Sequence, residues 1–123
     1  MKEKPKYKKY IGSEDSFQIA VAKYLDSIPT CLWCHVPNEG MHKIQYRVKM
    51  KAKGVKSGVP DVLIFNNNTR YCGFAIELKV GYNKKSENQE YWNIRLSTRN
   101  WAHLTTNSLD EVIEEVNNYL KIM

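Results

Sequence analysis

Two carboxylates and an amine stand where strand patterning leaves no room for idle charge. Asp61 opens the apolar run Val62-Leu63-Ile64-Phe65, and Glu77 interrupts a second run that begins at Tyr71 and ends in Leu78 and Lys79. The polar stretch Asn66-Asn67-Asn68-Thr69 joins the two runs, so they form a hairpin that carries Asp61 close to Glu77. A carboxylate held against a core costs on the order of several kcal/mol unless it is compensated. A divalent cation is one compensator and Lys79 is another. Two carboxylates with a backbone carbonyl make an oxygen-rich site that suits Mg²⁺ or Mn²⁺ and leaves positions for water and phosphate oxygens. Side chains two apart on a strand share a face, which puts Lys79 beside Glu77. There it could orient a water, help deprotonate it, or offset charge on a pentacovalent phosphorus. Phosphodiester hydrolysis needs this set.

The elements that must position these groups are legible in order. Ser13 is a fitting N-cap with Glu14 and Asp15 in the first turn. The helix that follows puts Phe17, Ala20, Val21, Tyr24, Leu25 and Ile28 on one face before Pro29 stops it. At about 100° per residue, Glu14 falls inside that apolar arc and Gln18 at its edge. Residues 30–36 have strand character, and 37–40 form a turn. A helix over 41–53 carries Met41, Ile44, Val48 and Ala52 as one stripe, with Gly54 as its C′ residue. After the hairpin, Ser86 and Gln89 match a capping box, and their helix sets Gln89, Trp92 and Leu96 on one side. Residues 101–106 form a short strand. Ser108 and Glu111 are a second capping box, and that helix buries Leu109, Val112, Ile113, Val116 and Leu120. A central mixed sheet flanked by helices follows.

Charge narrows the partner. The 123 residues carry a net charge of +6, and the cations are clustered. Residues 1–12 form a flexible basic arm with Lys2, Lys4, Lys6, Lys8 and Lys9 against Glu3, ahead of a single domain over 13–123. Lys43, Arg47, Lys49, Lys51, Lys53 and Lys56 form a run without an acid, whereas Asp110, Glu111, Glu114 and Glu115 sit near the C-terminus. Same-sign blocks repel unless something neutralises them, so DNA is the partner expected on the basic side, gripped by the 43–56 run and the arm. Tyr7, Tyr10 and Tyr46 lie among the lysines and could stack on unpaired bases. No stretch has the apolar length of a membrane span. The basic start is not followed by the apolar segment of a signal peptide, and three cysteines cannot form a complete disulfide set. A reducing, cytoplasmic location is expected.

The residues carry a resemblance. Pro60-Asp61 followed by Glu77-Leu78-Lys79 resembles the PD-(D/E)XK nuclease signature, and the element order is similar to that superfamily's restriction-endonuclease-like αβββαβ core, of the α/β class, with the basic helix inserted. The likeness is closer to the VRR-NUC branch. It rests on Glu14 and Gln18, His35-Val36-Pro37-Asn38-Glu39, Gly54, Gly58-Val59-Pro60-Asp61, Ile76-Glu77-Leu78-Lys79, and Gln89 with Trp92. The resemblance implies that Asp61, Glu77 and the Leu78 carbonyl hold the metal and that Lys79 acts on the water. It also implies that Glu14 reaches the site, on a metal or a water, and that Gln89 supports the site from its helix. Gln89 is equally the capping-box residue, and the two roles compete for one side chain. The family implies Mg²⁺- or Mn²⁺-dependent cleavage of branched or flapped DNA, and homodimers among its small stand-alone phage and bacterial members. A non-cleaving DNA-binding module with the same fold is the alternative. Cys31-Leu32-Trp33-Cys34-His35 also matches a haem-attachment or zinc pattern, but strand geometry turns the two cysteines to opposite faces, and small buried apolar roles fit them better.

Overall fold

The computed structural model describes residues 7–37, 43–81 and 86–121. The expected helix start at Met41, Asn38 and Glu39 from the motif, and Lys2, Lys4 and Lys6 of the arm lie outside those residues.

Helix α1 spans Glu14–Asp26, and the Ser13 hydroxyl accepts the Ser16 N–H at 3.1 Å, as the capping pattern requires. Phe17, Val21 and Leu25 are buried on its inner face. Strand β1 (Trp33–His35) is shorter than the expected 30–36. Asn66 explains the difference. Its side chain accepts the Leu32 N–H and donates to the Thr30 carbonyl, both at 2.7 Å, and so replaces ladder bonds with a side-chain clasp. The hairpin forms as expected from β2 (Val62–Ile64) and β3 (Gly73–Leu78), antiparallel with Val62 opposite Ile76. Helix α3 (Glu87–Thr98) crosses to β4 (Trp101–Thr106), which runs parallel to β3 with Glu77 beside Thr105. The sheet order is β1-β2-β3-β4.

Helix α4 (Leu109–Lys121) closes the chain, burying Val112, Val116 and Tyr119. Ser108 Oγ accepts the Glu111 N–H at 3.3 Å, but the Ser108 N–H goes to Thr106 Oγ1 at 3.0 Å, so Thr106 takes the half of the capping box expected of Glu111. The hydrophobic core joins α1 and α4 to one face of the sheet through Val62, Ile64, Phe74, Ile76 and Leu78. Ala75 and Glu77 alternate to the other face. Lys79 shares that side and bonds Gln89 of α3, so α3 covers it. No helix among the described residues is long and apolar enough to cross a membrane.

Helix α2 (Ile44–Ala52) buries no residue, and Ile44 and Val48 of the expected stripe are 69% and 63% exposed. Its C-terminus is nevertheless well made. The Val55 N–H bonds Met50 O and the Gly54 N–H bonds Lys51 O, both at 3.0 Å, with Gly54 at φ +103°, a Schellman motif. The end of the basic arm is docked rather than free. The Tyr10 N–H bonds Asn107 O at 2.7 Å and its ring stacks on Phe17 at 4.6 Å. Tyr7 bonds Glu114, and this bond with the nearby acids pushes its phenol up to about 12.

Gly58 sets the approach of α3 to the loop before β2. It sits at φ +86°, and a Cβ there would meet the Asn88 carbonyl oxygen at 2.6 Å. Gly58→Ala therefore combines a left-handed backbone with a clash against helix backbone. We expect a loss of about 1–3 kcal/mol from the backbone conformation alone, with the clash adding to it. Urea unfolding followed by tryptophan fluorescence reads it out, and a variant as stable as the parent would show that the loop can move off α3.

Candidate active site

The hairpin register brings the sequence motif together. Asp61 precedes Val62, the partner of Ile76, and so lies across from Glu77. Asp61 Oδ2 accepts the Leu78 N–H at 2.7 Å. A strand residue's N–H and C=O face the same neighbour, so the Leu78 carbonyl is also turned to the Asp61 side. The Asp61 carbonyl accepts the Val36 N–H at 2.9 Å and is 2.7 Å from His35 Nδ1. A carbonyl can only accept, so His35 carries its proton on Nδ1 in that bond. This gives His35 a concrete place: it is exposed and steadies the backbone of Asp61.

Glu77 is the electrostatic centre. It is 5% exposed in a strand buried at every position. Burial pushes its carboxyl from near 4.5 up to about 9, helped by a hydrogen bond with Asp61 and by the Asp61 charge, while Lys79 pulls the other way and Glu14 adds a smaller push. Burial therefore favours the protonated form of Glu77 when no cation is bound. Glu14 is exposed at the start of α1 and is felt at the site through its charge. Lys79 Nζ donates to Gln89 Oε1 at 2.8 Å, and the same oxygen accepts the Ser86 N–H at 3.0 Å. Gln89 therefore closes its capping box and holds the lysine at once, because an amide oxygen has two lone pairs. The two roles do not compete.

The donor set fits a hard divalent cation. Asp61, Glu77 and the Leu78 carbonyl offer oxygen only. Among the described residues no three His, Cys, Asp or Glu side chains gather as a metal cluster, so two carboxylates would be the side-chain ligands and the remaining positions would fall to carbonyl, water and phosphate. A buried carboxyl whose charged form is disfavoured is where a cation would be welcome. Thr105, the register partner of Glu77, keeps its Oγ1 buried without a partner, as do Asn93 Nδ2 and Gln18 Nε2. Sequence reasoning missed Asn93, which is 6% exposed on α3 one turn after Gln89. An i, i+4 pairing of Gln89 with Asn93 was the available signal.

The basic run is divided by the fold. Lys43, Arg47, Lys49, Lys51, Lys53 and Lys56 are all exposed. Arg47, Lys51 and Lys56 line a groove between α2 and α3, while Lys43, Lys49 and Lys53 lie outside its lining. The cysteines do not form a site. All three are free, and Cys34 is exposed rather than buried. Cys31 is half-buried, and its thiol is pushed up by burial and by Asp26, which disfavours the thiolate a metal would need.

With that geometry in place, the VRR-NUC domain model matches residues 13–108. The chain belongs to the VRR-NUC family. A solved structure described as a VRR_NUC domain protein shares the fold, with a TM-score of 0.75 and 23% identity over 92% of each chain. Comparison with curated proteins returns no match. VRR-NUC domains are nuclease domains, so a nuclease-type function follows from membership.

The Glu77 shift makes a pH prediction. Between about 4.5 and 9 the folded metal-free protein keeps a proton that the unfolded chain releases. Stability must then fall as pH rises through that window. In EDTA the melting temperature is expected to drop from pH 5 toward pH 9, and Glu77→Gln should remove that part of the slope. Saturating Mg²⁺ or Mn²⁺ should raise the melting temperature more at pH 8 than at pH 5, because a proton competes for the same oxygens. An identical pH profile in Glu77→Gln would refute the assignment.

Proposed function

We propose that the protein is a metal-dependent endonuclease that hydrolyses DNA phosphodiester bonds. The observation that carries this reading is the register that sets Asp61 across from the buried Glu77, with the Lys79 amine held at 2.8 Å by Gln89 on the same side as Glu77. Asp61, Glu77 and the Leu78 carbonyl would hold Mg²⁺ or Mn²⁺. Such an ion supplies a strongly nucleophilic water near neutral pH and polarises the phosphate.

The chain's own groups account for the rest. Gln89 fixes the Lys79 ammonium beside the carboxylates, where its charge meets negative charge growing on phosphorus. The Leu78 N–H holds one oxygen of Asp61 and leaves the other for the ion. Glu14, from the start of α1, adds negative charge that reaches Glu77. Branched or flapped DNA as the preferred substrate and a homodimeric state belong to the same proposal and rest on the family resemblance.

Cleavage of labelled duplex, flap and junction DNA in Mg²⁺ or Mn²⁺, with EDTA controls, tests it. Asp61→Ala and Glu77→Ala should leave no measurable cleavage, and Lys79→Ala should lose about 10²–10³-fold, the scale of one lost transition-state donor. Cleavage that survives EDTA defeats the proposal. DNA binding without cutting in either metal would instead support the binding-module alternative. Sedimentation of the same samples reads the oligomeric state.

A further inference from the structure

A groove between α2 and α3 is a feature of the surface that the proposed chemistry does not use. Its volume is about 1190 Å³, above the roughly 300–1,000 Å³ of small-molecule clefts. Arg47, Lys51 and Lys56 enter it from one side and Arg95 and Arg99 from the other, and among the described residues no acid lines it. This charge calls for a polyanion.

The groove also carries aromatic surface. Tyr91 is 54% exposed, with the Arg95 guanidinium 4.9 Å from its ring centre. Tyr91, Arg95 and Arg99 follow one another at i, i+4 and i+8, a single line along α3. The floor is fixed. Trp92 Nε1 donates to Ser57 O at 3.1 Å, and Asn88 Nδ2 donates to Ser57 Oγ at 2.6 Å. Ser57 leads through Gly58 to Asp61, and Asn88 adjoins Gln89, which holds Lys79. The groove's floor is therefore tied on both sides to the segments that carry Asp61 and hold Lys79. A duplex presents phosphates to such a surface and keeps its base faces stacked inside, which would leave Tyr91 unused. An unpaired strand presents both phosphates and base faces.

We propose that the α2–α3 groove holds an unpaired DNA strand continuous with the strand at Asp61 and Glu77, with a base stacked on Tyr91 and phosphates on Arg95, Arg99 and Lys51. The proposal rests on the nuclease reading for what lies at the groove's end, but its test does not depend on cutting.

Fluorescence anisotropy in EDTA compares a blunt duplex, the same duplex with an oligo-dT tail, and one with an abasic tail. The oligo-dT tail should tighten binding, and the abasic tail should do so less. Tyr91→Ala should weaken tailed binding by about tenfold, leave blunt binding unchanged, and keep its melting temperature. Arg95→Gln with Arg99→Gln should lower the salt slope for the tailed duplex by about one for each phosphate that is no longer neutralised. A tail that adds no affinity, or a Tyr91→Ala effect equal on blunt and tailed DNA, overturns the proposal. Displacement of the tail by polyglutamate as readily as by oligo-dT overturns it in favour of an acidic protein partner. If these failures occur while Asp61-dependent cleavage persists, the nuclease reading stands. If the tail effects appear in a protein that never cuts, that reading falls and the groove assignment stands.

Discussion

Burying Glu77 beside Asp61 is the constraint on which the architecture turns. Every residue of β3 is buried, so a carboxyl in that strand has no water to fall back on. The fold answers with a protonated Glu77, the Leu78 N–H on Asp61, and the Lys79 charge nearby. All three answers depend on strand register. A slip by one residue would turn Glu77 into the core between α1 and α4 and turn Ile76 out of it, because side-chain direction alternates with every position. The apolar packing of Ile76 and the placement of Glu77 are therefore one requirement met by one pairing.

The first turn of α3 is the second organising element. Gln89 closes the helix's own cap and restrains Lys79, while Asn88 and Trp92 anchor the Ser57 segment that leads to Asp61. Amine and carboxylate come from different strands, yet both are referenced to the same helical turn. Gly58 permits this because only a residue without Cβ lets the loop lie against the Asn88 backbone. The proline and glycine of the motif act before any chemistry does, by bringing loop and helix into contact.

Much of this was legible in the sequence, and the misses share a cause. Caps at Ser13 and Ser86, the hairpin and the strand at 101–106 are set by local residues, and local residues announce them. The carboxylate pair was legible because Asp61 opened one apolar run and Glu77 interrupted the next. What could not be seen is where one segment's side chain does another segment's work: Asn66 shortening β1, Thr106 taking half of the cap at Ser108, Tyr119 completing the core. The α2 stripe misled for a related reason. Periodicity states which residues share a face, but it does not say whether anything lies against that face. Helix α3 was hard in the opposite sense. It covers the polar side of the sheet, so Gln89 and Asn93 face inward and no clean apolar stripe exists.

The distribution of charge extends the argument from the site to the whole domain. The sheet separates two unlike sides. Cations of α2 and α3 border the groove, whereas Asp110, Glu111 and Glu114 lie on α4, packed on the other face of the sheet from α3. Tyr7 bonds Glu114 there, which ties the start of the described chain to the acidic side. A domain with such polarity meets a polyanion in one orientation, because the field attracts on the α2–α3 side and repels on the α4 side. The side so favoured is the one where Lys79 and the carboxyls are found. The net charge of +6 thus matters less for how strongly the protein attracts phosphate than for which face it turns toward it.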